Sequence, residues 1–170
     1  MTFFKTNFIL LLFACLFTNI SQAQKIDSTG ITIAEIKIIH STILNEDRKI
    51  YVYTPVNHFE PLPVIYLMDG EMISLGAGIV DFLSQANLLP PMIVVGIGNY
   101  EYDSARDLTT THSLLNMDGT TDSNSWRNSG EGENFLKFIK DELMPFVEKN
   151  YKTSPNKIFF GHSLGGLISS

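Results

Sequence analysis

Cysteine is almost missing from this chain: Cys15 is the only one in 170 residues, and it lies in an apolar N-terminal run. The residues beyond that run therefore have no disulfide, no thiolate nucleophile and no cysteine metal ligand, so packing must supply their stability. Basic charge is also short, with 12 Lys and Arg against 18 Asp and Glu and a formal net charge of -6. That balance offers no electrostatic footprint for phosphate backbones or anionic lipid, and nucleic acid is not an expected partner. No apolar run reaches the roughly 20 residues needed to cross a bilayer. The histidines are His40, His58, His112 and His162. No two of them share a short metal-ligand spacing with a carboxylate, so no metal and no cofactor is expected. Internal repeats and low-complexity tracts are missing too.

What remains is the composition of one soluble domain, 44% hydrophobic and 18% charged, with enough apolar residues to bury a core. The first residues have a separate job. Lys5 precedes an unbroken apolar run from Phe8 to Phe17, followed by polar Thr18 and Asn19 and the small-residue site Ser21-Gln22-Ala23. This reads as a secretory leader over residues 1–23, cleaved after Ala23, with residues 24–170 as the exported, periplasmic or secreted domain. No stable membrane span is expected after cleavage. Leu12-Phe13-Ala14-Cys15 loosely resembles a lipoprotein cleavage site, but Phe13 fits that pattern poorly and the apolar run continues past the cysteine.

Apolar residues partly alternate at Ile31, Ile33, Ile36 and Ile38, and Lys49-Ile50-Tyr51-Val52-Tyr53 is a second β-rich run. With Leu44-Asn45-Glu46-Asp47-Arg48 read as a polar turn, these form an opening hairpin. Val64-Ile65-Tyr66-Leu67-Met68 has no polar member and suits a strand covered on both faces, ending at Asp69-Gly70; Met92 to Ile97 is another. Ile79, Phe82, Leu83 and Ala86 fall on one helical face before Pro90-Pro91. A polar segment from Gly98 to Gly130 is long for a connection inside a domain, and such loops commonly carry function. Asn128 and Glu131 form a helix-opening pair ahead of the apolar stripe Phe135, Phe138, Ile139, Leu143, Phe146 and Val147, with Pro145 expected to bend that helix. Lys157 to Phe160 is a last short strand, and Gly161 to Ser170 begins a turn and helix. Strands and helices alternating after a hairpin imply an α/β fold, a mostly parallel sheet with helices on both faces. Ligands then bind beyond the carboxyl ends of the strands, where Asp69-Gly70, the long loop and Ser163 all fall.

Gly161-His162-Ser163-Leu164-Gly165-Gly166 contains Gly-x-Ser-x-Gly, the pattern of a nucleophile elbow. A serine at the tip of a sharp strand-to-helix turn sits in a strained backbone conformation, and glycines two residues either side let strand and helix approach closely. The bare pattern arises by chance in roughly one chain in twenty of this length, so its context decides, and here it follows a β-rich run and opens a helix-compatible segment. Ser163 is therefore the candidate nucleophile, and the helix N-terminus behind it favours the negative charge of an attack. Acyl transfer needs two oxyanion donors. The backbone N–H of Leu164 is one candidate, and an amide at Gly70 or Glu71, in the loop after the third strand, is the other. The carboxylates of Asp69 and Glu71 are read as shaping that loop.

Five segments together resemble the putative esterase family of α/β hydrolases, which includes esterase D-like, enterochelin esterase-like and feruloyl esterase-like proteins. They are Arg48 to Pro55, Val64 to Glu71, Val94 to Ile97, Arg106-Asp107-Leu108-Thr109 and Gly161 to Gly166, and the likeness spans most of residues 36 to 170. Family members often carry proline after the Arg-Asp-Leu-Thr segment, where Thr110 stands here. The resemblance implies Ser163 as nucleophile, with the Leu164 amide and the Gly70-Glu71 region as oxyanion hole.

In this fold the acid and histidine of the triad follow the serine along the chain. The residues after Ser163 include neither. The chain thus reads as the N-terminal part of a hydrolase domain, stopping just after its elbow, expected to be nearly inactive by itself and poorly soluble. Arg106 could hold a substrate carboxylate, although a loop ion pair with Asp107 is its default. Trp126 could stack on a sugar or an aromatic acyl group, or simply anchor its loop. The expected activity is hydrolysis of a carboxylic ester, carbohydrate or siderophore-like, through an acyl-serine. The alternatives are an acyltransferase on the same intermediate and a non-catalytic exported binding protein on the same scaffold.

Overall fold

The computed structural model describes residues 31–99, 104–116 and 118–170, so the leader read over residues 1–23, with Cys15, lies outside the described residues. The strands are β1 (Glu35–Ser41), β2 (Glu46–Tyr53), β3 (Leu62–Leu67), β4 (Ile93–Ile97) and β5 (Thr153–Phe160). The helices are α1 (Ile73–Gln85), α2 (Ser104–Leu108), α3 (Gly132–Phe138), α4 (Met144–Asn150) and α5 (Leu164–Ile168). The strands form one sheet in the order β1-β2-β4-β3-β5. β1 and β2 pair antiparallel, β2 runs antiparallel to β4, and β3 is parallel to both β4 and β5. This is the α/β fold that the alternation of elements predicts, built on a mixed sheet in which two of the four strand pairings are antiparallel where a mostly parallel sheet is expected.

The purely apolar run of β3 is covered on both faces, as its composition requires. Val64 and Tyr66 join Phe135, Phe138, Ile139, Leu143 and Val147 in one buried cluster. Leu67 joins Ile73, Val80 and Val94 in the other, beneath α1. All five residues of β4 are buried. β5 is one of the two outer strands, and Ile158, Phe159 and Phe160 are exposed there.

Several details depart from the sequence reading. Glu46, Asp47 and Arg48 belong to β2, and the turn is Thr42 to Asn45, with Asn45 at φ 53°, a conformation asparagine tolerates. Ile36 and Ile38 point to solvent on β1, while Ile39 is half-buried and Ser41 is buried. The register follows an anchor outside the hairpin. Glu142 accepts hydrogen bonds from Ser41 Oγ (2.5 Å), Thr42 N (2.9 Å), Thr42 Oγ1 (2.5 Å) and Ile43 N (3.2 Å). α1 buries Ile73, Ala77 and Val80, not the expected face, for Ile79 and Phe82 are exposed. That helix also stops before the prolines. Asn87, at φ 57°, donates to Ser84 O and Leu88 donates to Leu83 O, a left-handed C-terminal cap. α3 opens after Glu131 with no side-chain cap, so Asn128 is not the opening residue. Pro145 acts through a widened turn at Ile139–Leu143, where Met144 N–H donates to Ile139 O. Lacking an N–H for Asp141 O, the proline is accommodated by one π-type turn between α3 and α4.

The interior holds one charged knot. Arg48, 1% exposed, donates to Asp107 Oδ2 (2.6 Å), Glu46 Oε1 (2.8 Å) and the carbonyl of Gly98 (2.7 Å). Its guanidinium carbon lies 5.4 Å from the Phe135 ring centroid and 5.8 Å from that of Phe138, a cation–π arrangement. Arg106 closes the knot from the other side, bidentate to Glu46 at 2.7 Å for each bond and 2.8 Å from Asp107 Oδ1. Burial pushes the Glu46 carboxyl up, but the hydrogen bonds from Arg106 and Arg48 outweigh it and hold the group below the usual carboxylate range.

Removing one partner leaves a buried charge uncompensated. Asp107→Ala is expected to cost about 3–5 kcal/mol in a denaturant melt, and a loss under about 1 kcal/mol would show that the knot is not holding the fold. The depressed Glu46 carboxyl adds stability that is fully present above its unfolded pKa of about 4.3 and is lost as pH falls through the lower folded value. Melts across that acid window should flatten in Glu46→Gln relative to the wild type.

Candidate active site

Ser163 sits at φ 54°, ψ −118°, between the end of β5 and the first residue of α5. Among the described residues the other non-glycine positions at positive φ are Asn45, Asn57 and Asn87, and asparagine visits the left-handed region readily. Serine does not, and a ψ of −118° is outside that region altogether, so Ser163 holds genuine backbone strain.

The close approach that the glycine spacing predicts is present. A Cβ on Gly161 would lie 2.2 Å from the carbonyl carbon of Gly165, and one on Gly165 would lie 3.0 Å from Asp69 Oδ2. The helix starts at once beyond the bend, with Gly165 N–H donating to His162 O (2.9 Å) and Leu167 N–H to Ser163 O (3.1 Å). Asp69 braces the turn from β3, its Oδ2 accepting the His162 N–H at 3.5 Å. Met68 N–H donates to Phe160 O (2.9 Å), locking the end of β3 to the end of β5.

Beyond these strand ends is a cleft of about 350 Å³ lined by Asp69, Glu71, Met72, Asn99, Ser104, Leu108 and residues 162–165. Ser163, Leu164 and Glu71 thus line one cleft. The backbone N–H groups of Glu71 and Leu164 meet no acceptor among the described residues. Gly70 lies beneath the cleft against β4, where a Cβ would come within 2.5 Å of the Ile97 carbonyl carbon. Its role is to let the loop after β3 fold flat over β4.

Arg106 and Trp126 are placed elsewhere. Arg106 is committed to Glu46 and Asp107, and Trp126 donates its Nε1–H to Asn116 Oδ1 at 2.8 Å; neither lines the Ser163 cleft. The ion pair and loop-anchoring readings of these residues are what the geometry supports. His40 pairs with Asp47 at 2.8 Å and His112 bonds the Ser129 carbonyl at 3.0 Å, both as ordinary loop and strand histidines. His162 does line the cleft. Sequence reasoning missed Asn99 and Ser104 as cleft residues, since their segment carries no motif. Among the described residues no group of three or more His, Cys, Asp or Glu is placed to hold a metal ion, and no helix is long and apolar enough to cross a membrane.

A hairpin leading into a parallel sheet, with a strained serine between strand and helix, defines an α/β hydrolase. The family described as Putative esterase matches residues 41–169, and the chain belongs to that family. Ferri-bacillibactin esterase BesA of Bacillus subtilis (strain 168) is 30% identical over 147 residues, 79% of this chain and 50% of the relative. An IroE-like serine hydrolase from Shewanella oneidensis superposes with a TM-score of 0.74 at 34% identity, over 79% of this chain and 44% of that one. The BES protein from Bacillus cereus gives 0.66 at 26% identity, over 82% of this chain and 57% of that one. The chain spans about half the length of these relatives.

The strain and the close packing make opposite predictions for two small substitutions. Ser163→Gly should raise stability relative to Ser163→Ala by about 1 kcal/mol, because glycine relieves the backbone strain. Gly161→Ala should lower it by about 3 kcal/mol, because the new methyl meets backbone that cannot move aside. Paired thermal melts check both, and equal melting of all three variants would contradict the bend described.

Proposed function

We propose that the whole protein hydrolyses a carboxylic ester through an acyl-enzyme on Ser163. The observation that carries this reading is the strained serine lining one cleft with Glu71 and Leu164, whose backbone N–H groups meet no acceptor among the described residues. Ser163 Oγ attacks the ester carbonyl carbon while its proton passes to a general base. The negative oxygen of the tetrahedral intermediate accepts hydrogen bonds from the N–H groups of Leu164 and Glu71, with Gly70 allowing the loop to take that position. The C–O bond to the alcohol then breaks, the alcohol leaves with a proton, and water repeats the attack to free the acid. The Ser–acid–His order of this fold assigns the base and its acid to positions after Ser163 in the whole protein.

For the substrate we infer a siderophore-like ester. The support is the relative named as a ferri-bacillibactin esterase at 30% identity.

In the whole protein, Ser163→Ala should abolish both turnover of 4-nitrophenyl acetate and labelling by a fluorophosphonate reagent. A hydroxyl is the group each of these requires, so turnover that survives the substitution would remove Ser163 from the mechanism.

A further inference from the structure

Asn99 belongs to the cleft, yet neither the fold nor the ester chemistry above makes use of its side chain. It stands two residues beyond the end of β4 and shares the cleft lining with Glu71, Ser104 and Ser163. Its Oδ1 is sealed from solvent and receives no hydrogen bond among the described residues. Its Nδ2 is not sealed in this way and donates to none of them. The carbonyl half of the amide is therefore turned into the protein, and the polar group left for the cleft is the amino half. Turning the amide over would replace one buried acceptor without a partner by two buried N–H donors without one. The backbone keeps the residue in place, because Gly98 just before it donates its N–H to Lys49 O (2.9 Å) and gives its carbonyl to Arg48 (2.7 Å).

We propose that Asn99 is a specificity-determining residue whose Nδ2–H donates to an acceptor oxygen on the ester bound at Ser163, close to the scissile bond. An unpaired donor in a cleft of about 350 Å³ is met by an oxygen and is left stranded by a hydrocarbon. A site built this way discriminates against the analogue that lacks the acceptor. The cleft accordingly prefers esters carrying a carbonyl or ether oxygen near the ester group over hydrocarbon esters of the same length. This inference rests on the esterase reading of Ser163 and deepens it by naming a feature of the substrate.

The test uses the whole protein and two matched pairs of esters. One pair varies the acyl side, 4-nitrophenyl N-acetylglycinate against 4-nitrophenyl pentanoate; the other varies the alcohol side, 2-methoxyethyl butyrate against butyl butyrate. In Asn99→Leu, KM should rise about 5- to 10-fold for the oxygen-bearing member of at least one pair. KM for its hydrocarbon partner and kcat for both should stay within about twofold of the wild type. Asn99→Asp keeps an acceptor and loses the donor, so it should lose the preference as well. A cooperative thermal melt with a midpoint near the wild-type value certifies that the variants are folded. Equal KM changes within both pairs, or a preference kept in Asn99→Asp, would overturn the proposal. Ser163→Ala, assayed alongside, separates the two claims: surviving turnover there strikes at Ser163, whereas the KM ratio between paired esters judges Asn99 alone.

Discussion

A guanidinium buried over two neighbouring phenylalanine rings holds this structure together. Arg48 is shut off from water, so its charge is tolerable only because Asp107, Glu46 and the Gly98 carbonyl surround it. Each of those partners lies on a different segment: Asp107 on α2, Glu46 on β2 itself, and Gly98 in the chain leaving β4. The rings of Phe135 and Phe138 bring in α3. One charged group therefore fixes where the segment after β4 must run. Because α2 is tied by Asp107 and Arg106 on one side, Ser104 and Leu108 are left to wall the cleft on the other. The position of the candidate site is set in this way by a contact that never touches it.

The elbow depends on a second constraint, which is steric. The end of β5 is bonded to the end of β3, and the helix behind Ser163 is packed on Gly161 so closely that no methyl group fits. Between these two fixed elements the serine has no relaxed conformation available, and its strain is maintained by the packing around it. The Leu164 amide has no acceptor among the described residues, and Leu164 lines the same cleft as Glu71 from the loop after β3. On the proposed reading the amides of these two residues are donors held in place before reaction, and such donors need no reorganisation when charge develops.

Much of this was legible from local pattern. β3 and β4 announce themselves because a strand covered on both faces has no polar member, and the elbow does so because only glycines permit its close approach. The stripe on α3 and α4 was legible because its partner is the sheet itself. The faces of β1 and α1 were not. Both elements carry apolar residues on more than one side, and which side turns inward is decided by distant anchors, Glu142 for the hairpin and the Leu67–Val94 surface for α1. Arg48 was hidden for a related reason. An arginine among acidic residues looks like a polar turn until its partner, 59 positions away, is brought beside it.

The sequence by itself determined the order of elements, the two-sided burial of the central strands and the bend at Ser163, since each follows from neighbouring residues acting over a few bonds. Tertiary structure decided the rest: the inward faces of the outer elements, the commitment of Arg106 to Glu46 rather than to the cleft, and the placement of Asn99 in the cleft that Ser163 lines. Those outcomes depend on charges and surfaces far apart along the chain. Their energies exist only once burial has removed the water that would otherwise compete for them.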